Sequence, residues 1–214
     1  MGYLMKYYLY VSETKVGMLH SQIGVSLFSK VKAGIKLKLP FFFEASLDAD
    51  SETKTIYAKV EEIRNQILAG GECGTIERPK SYVDDTALLS FGSVTDYAAS
   101  IAFFGGIVGG KKVALIGSSS SLVGAAKVAE ADHRLDYYTI KFMAEMSEGR
   151  LHDKFRAAPP EPAEIEDDLR SLEESVEQAL GDVNTPPRRL SFTAKVIHDT
   201  SNFLVASPIF VAMA

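Results

Sequence analysis

Apolar residues along the chain recur with two periods, and the points where the period changes divide it into elements. Residues 3–11, YLMKYYLYV, are rich in tyrosine and predict a strand. Ser12 can cap the next element, where Val16, Leu19 and Ile23 recur at helical spacing and predict a short helix over 13–23. In GIKLKLP the residues Ile35, Leu37 and Leu39 alternate with Lys36 and Lys38. That is a strand with one wet face, ended or held at a sheet edge by Pro40, with FFFEASL continuing past a bend. A helix is expected over 51–69. Ser51 or Asp50 caps it, Ile56, Val60, Ile63 and Ile67 form its buried stripe, and Gly70-Gly71 stops it.

The second half has the same grammar. CGTIE and YVDDTALLSFGSV read as strand pieces. YAASIAFFGGIVGGKKVALIGSS reads as two strands around a turn at Gly109-Gly110. Both strands are almost continuously apolar, so both of their faces should be covered. Residues 124–148 predict a helix with Tyr137, Ile140, Met143 and Ala144 on its inner face. A stiff linker, 157–162, holds three prolines and leads to an acidic helix over 162–180, whose stripe is Ile165, Leu169, Leu172, Val176 and Leu180. Pro186-Pro187 closes that helix, and RLSFTAKVIH and NFLVASPIFVAMA form two last strands joined by DTS. The final strand is apolar up to its end, which predicts a place in the interior of a sheet. Strands come in neighbouring pairs and helices do not alternate with them one for one. The pattern therefore predicts one α+β domain over 1–214, a mainly antiparallel sheet with three to four helices packed on it.

Composition narrows the class of function. The 214 residues are 46% hydrophobic and 24% charged, enough to build one sizeable core. A net charge of −5 argues against a general nucleic-acid-binding surface, because phosphate contacts need clustered Lys and Arg. A single cysteine, Cys73, forbids an intrachain disulfide and suits a reducing cytoplasm. No basic residue follows it before Arg78 to activate it. No signal peptide and no membrane-spanning run is read, so a cytoplasmic, non-membrane protein is expected.

Three stretches invite chemistry. GGIVGGKK, 105–112, fits most of a phosphate-binding loop, but position 112 is Lys where a hydroxyl should hold magnesium, and an apolar strand comes next where a helix is needed. It reads as a hairpin tip. The segment after it has the better context: strand, polar loop, helix. Gly117, Ser118, Ser119, Ser120, Ser121 and Gly124 are the candidate residues for a small anionic ligand there, with serine capping as the ordinary reading. The acidic helix offers Glu166, Asp167, Glu173 and Glu174 as a docking surface for a basic partner, against the plainer reading of a solvated face. Lys30, Lys32, Lys36 and Lys38 could offset it within the chain or between copies of a homo-oligomer. His20, His133, His152 and His198 are scattered and read as structural, even though His198-Asp199 with a serine spells the letters of a triad. No catalytic set, metal ligand set or cofactor fingerprint is read, so no cofactor and no metal are expected.

The stretches YYLYVSETKVGMLHSQI, FFGGIVGGKKVALIGSSSSLVG and LVASPIFVA together resemble an uncharacterised bacterial family, largely actinobacterial, known as a domain of unknown function. In its middle motif Phe103, Phe104, Gly106, Gly117, Ser118, Leu122, Val123 and Gly124 stand in the matching places. The resemblance puts GGIVGGKK in a variable turn. It also implies a histidine before Leu-Val-Gly in relatives, where this chain has Ser121, and it brings no catalytic residues. The leading expectation is a non-catalytic ligand- or protein-binding module, in a bacterial signalling or defence setting. A small enzyme acting on a phosphorylated or nucleotide-like substrate through 117–124 is the alternative, and a self-assembling structural protein is the third reading.

Overall fold

A computed structural model describes residues 6–32, 54–96, 99–124 and 162–214. The chain falls into two compact units, one made of 1–12 with 72–214 and the other of 13–71.

The smaller unit is a helix pair. α1, Glu13–Lys32, runs nine residues beyond the expected end at 23. Ile23, Leu27 and Val31 keep the helical period past that point, through Gly24. α2, Ile56–Ala69, starts later than expected. Its cap is Thr55, not Ser51 or Asp50: Thr55 Oγ1 accepts from Ala58 N–H at 3.3 Å. At the other end Gly70 N–H donates to Gln66 O, and Gly71 takes φ 76°, so the Gly-Gly pair ends the helix as expected. Val16, Val60 and Ile63 are buried. α1 packs against α2, and Glu62 ties them by lying 3.1 Å from His20 Nε2 while accepting from Lys54 Nζ at 2.7 Å.

The larger unit is a barrel. Its strands are β1 Tyr8–Val11, β2 Cys73–Gly74, β3 Tyr82–Asp96, β4 Ala99–Val108, β5 Lys111–Ser118, β6 Arg188–Asp199 and β7 Phe203–Met213. The seven-stranded sheet runs β1-β7-β5-β4-β3-β2, and β6 bridges β3 to β7. That bridge closes a ring β3-β4-β5-β7-β6, so the mainly antiparallel sheet curls onto itself. β5 with β7 and β2 with β3 are parallel; the other pairings are antiparallel. β7 is the interior strand its composition predicts. β6 lies along one side of it, while β5 and then β1 share the other. Pro208, which cannot donate to a ladder, sits at the register shift between Thr193 and Ala194 of β6.

Alternation along the strands splits the apolar residues into two cores. Ala102, Phe104, Val113, Leu115, Phe192, Ala194, Leu204 and Ala206 join Tyr10 in one cluster, the filled interior of the barrel. Within it Phe104 stacks on Phe91 at 5.8 Å and meets Tyr10 edge-on at 6.0 Å. Ile101, Phe103, Ala114, Ile116, Phe203 and Val205 point outward, where α3, Pro162–Asp182, covers them with Leu172, Val176 and Ala179. Each fully buried Leu or Val there contributes about 1.5–3 kcal/mol. This is why β4 and β5 have no polar face. α3 begins on Pro162, the last residue of the expected linker, where a missing N–H costs nothing. Three α-helices occur among the described residues. The strand expected over 35–39, Lys36 and Lys38 with it, lies outside the described residues. So do the rest of the linker, His133, His152 and the helix expected over 124–148, apart from Gly124 itself. Lys30 and Lys32 stand in the last turn of α1.

Candidate functional site

The β4–β5 hairpin turns where the sequence predicts it. Gly109 at φ 59° and Gly110 at φ 86° supply the two positive φ angles of a tight turn matched to the strand twist. Val108 pairs with Lys111 and Ile107 with Lys112. GGIVGGKK is therefore strand, turn and strand, with no helix to present N–H groups to a phosphate.

Between the hairpin and the C-terminal end of α3 lies a groove of about 380 Å³. Phe103, Ile107, Leu180 and Val183 give it apolar walls, and Gly105 and Gly106 leave its floor as bare backbone. The glycine at 105 is demanded by packing: a Cβ there would lie 2.5 Å from Phe103 Cε1 and 2.7 Å from Leu180 Cδ2. Lys112 and Glu177 close one end as an ion pair, and the Lys112 ammonium also sits 4.9 Å over the Phe203 ring. Behind the groove Thr185 completes the free edge of β3. Its hydroxyl accepts from Phe91 N–H at 2.9 Å and donates to Phe91 O at 2.7 Å, and Ser90 Oγ donates to Thr185 O at 2.7 Å.

The serine segment leaves β5 through a short turn. Gly117 and Ser118 end β5, and Ser119–Ser121 form a single 3-10 turn capped by Ser118. The chain then runs extended, as Leu122 bridges to Tyr10 and Val123 N–H donates to Leu9 O at 2.8 Å. Ser118 and Ser120 hydroxyls lie 2.8 Å apart, bonded to each other. Gly117 is buried, and its missing side chain makes room for Tyr10: a Cβ would lie 2.2 Å from Tyr10 Oη. Gly124 takes φ 55°.

On α3, Glu173 Oε1 lies 2.9 Å from His198 Nε2 of β6, Glu174 is exposed, and Glu177 holds Lys112. Glu173 and Glu177 are one turn apart, so the helix is tied to the barrel wall by two acids at i, i+4 spacing. Glu166 and Asp167 lie in the first turns of the same helix. Asp199, beside His198, pairs with Lys111 at 2.5 Å and forms no triad with the serines. Among the described residues no three His, Cys, Asp or Glu side chains converge as metal ligands.

A family model matches residues 6–214, nearly the whole chain, and its description is a family of unknown function, DUF7019. The chain belongs to that family. Comparison of this DUF7019 chain with curated proteins and with solved structures returns no match. No helix among its described residues is long and apolar enough to cross a membrane.

Sequence reasoning missed the groove because its walls are ordinary core letters. Phe103 and Leu180 stand 77 positions apart, and only the packing of α3 on β4 joins them. One signal was available. Two adjacent glycines inside an apolar strand mark a place where something approaches the backbone closely.

Proposed function

We propose that the chain is a non-catalytic binding module whose working surface is the outer groove between the β4–β5 hairpin and α3. One observation carries this reading: the barrel interior is filled with side chains, while a glycine-floored concavity lies open outside it among the described residues. Its volume lies within the range of small-molecule pockets, and its apolar walls with one charged end suit an apolar small molecule or an apolar side chain of a protein. Two things favour the groove over Ser118–Ser121. The Ser118 and Ser120 hydroxyls bond to each other, and the turn is too short to focus a helix dipole on an anion.

The test is an amide-resolved NMR titration with a panel of nucleotides, sugar phosphates and small apolar fragments. The groove reading expects fragments to shift Gly105, Gly106 and Gly181. Shifts confined to Ser118–Gly124 with phosphorylated compounds would reverse the choice in favour of the enzyme-like alternative.

A further inference from the structure

The groove between the hairpin and α3 has a sign as well as a shape. On the α3 side it is lined by Glu177, Leu180 and Gly181, with Val183 just beyond the helix. Leu180 and Gly181 belong to the last turn of α3, which holds no basic residue and closes on Asp182. The last four carbonyls of a helix have no partner within it. Here Ala179 O takes the Val183 N–H, and the carbonyls of Leu180, Gly181 and Asp182 follow it at the negative end of the helix dipole.

Among the lining residues Lys112 is the cation and Glu177 the anion, and as a pair they cancel. The carbonyl end of α3 is left over, so the groove is negative. The two charges are also not equally open to a ligand. Lys112 is engaged twice, by Glu177 Oε1 and by the Phe203 ring, and its side chain is 35% exposed. The Glu177 side chain is 52% exposed and holds Lys112 through Oε1, which leaves Oε2 as an acceptor. An anionic ligand would have to displace Glu177 from Lys112 and then lie beside it. A cation joins the pair without breaking it, because one carboxylate can accept from both.

We infer that the groove takes a small apolar amine, an alkyl or arylalkyl ammonium. Its charged head donates to Glu177 Oε2, and its hydrocarbon body lies along Phe103, Ile107 and Val183. The inference rests on the groove as the working surface and names the chemistry of what it holds. A free amine is favoured over the lysine of a protein because a groove of about 380 Å³ can take in the whole small molecule.

Amide-resolved NMR titrations of the full chain with hexylammonium, hexanol and hexanoate test it, since the three share one hydrocarbon body and differ in charge. All binding is read at Gly105, Gly106 and Gly181. Hexylammonium is expected to bind about three- to fivefold tighter than hexanol, and hexanoate more weakly than either. That preference should shrink as salt rises from about 20 to about 300 mM. In Glu177→Gln, with folding checked by circular dichroism, the order should reverse: the amine loses its acceptor and Lys112 is freed for hexanoate. Equal affinities for the three in the parent chain, tightest binding of hexanoate, a preference indifferent to salt, or an amine preference that survives Glu177→Gln would each overturn the inference while leaving the groove reading standing. Shifts at none of the three glycines with any compound would show the groove reading itself failing. Nα-acetyl-lysine N-methylamide presents the same ammonium on a peptide backbone and should bind more weakly; binding as tight as hexylammonium would replace the free amine with a protein lysine.

Discussion

Gly117→Ala separates a glycine kept for a ligand from one kept for packing. The added methyl would lie 2.2 Å from Tyr10 Oη, 2.7 Å from Cζ and 3.0 Å from Cε2. Ordinary carbon contacts begin near about 3.5 Å, so ring or strand must move by about 1 Å. Neither moves freely. Tyr10 is fully buried against Phe104, and Gly117 is held in register with Ala102 of β4. Overpacking of this kind costs about 1–3 kcal/mol, while the reduced freedom of the unfolded chain returns about 0.4–1 kcal/mol. The net expectation is a loss of about 1–2 kcal/mol in urea denaturation, and a melting temperature lower by roughly 2–8 °C for a chain of this size. Tyr10→Phe removes the shortest contact, so the alanine should cost less in that background, with a coupling of about 0.5 kcal/mol or more in the double-mutant cycle. A Gly117→Ala chain as stable as its parent, or an additive cycle, would refute the packing account and return Gly117 to the anion-loop reading.

Two further changes probe the edges and the helix pair. Thr185→Val strips Phe91 N–H and C=O of their partner and should cost about 1–3 kcal/mol, with faster hydrogen exchange at the Phe91 amide; unchanged exchange would show that another group satisfies that edge. Burial pushes the Glu62 carboxyl up, but hydrogen bonds and charge from Lys54 and His20 outweigh it, and the net pKa falls below its ordinary 4.5. A lowered folded pKa means the Glu62 contribution is present above pH 4.5 and is lost as pH falls through the folded value. The acid side of the stability profile should therefore flatten in Glu62→Gln; an identical profile would mean the clasp between α1 and α2 adds nothing.

Local features were legible because they need only local chemistry. Gly109-Gly110 specified the hairpin, Gly70-Gly71 the helix stop, and the spacing of Leu172, Val176 and Leu180 the face of α3 that packs on the barrel. The apolar run of β7 announced an interior strand before its neighbours were known. Closure of the barrel was not legible. It depends on β5 lying parallel to β7 and on β6 reaching β3, pairings between segments some 90 to 110 residues apart that leave no periodic trace. The site fared likewise. His198 reads from its neighbours as a strand residue, but its partner Glu173 lies on a helix 25 residues earlier. Gly117 stood out as part of a polar loop, yet the side chain that requires it is Tyr10, more than 100 residues earlier.

The position of β7 in chain order carries a consequence for how the protein is made. Residues 8–11 find their partners only at 210–212, and β5 and β6 both pair with the same late segment. On the ribosome the earlier strands emerge with this side of the sheet still open, and β1, β5 and β6 lack their shared partner strand until 203–213 appear. Synthesis and barrel formation are thus separated in time: assembly waits for the last strand, and the chain must cross that interval with unpaired edges shielded from its neighbours.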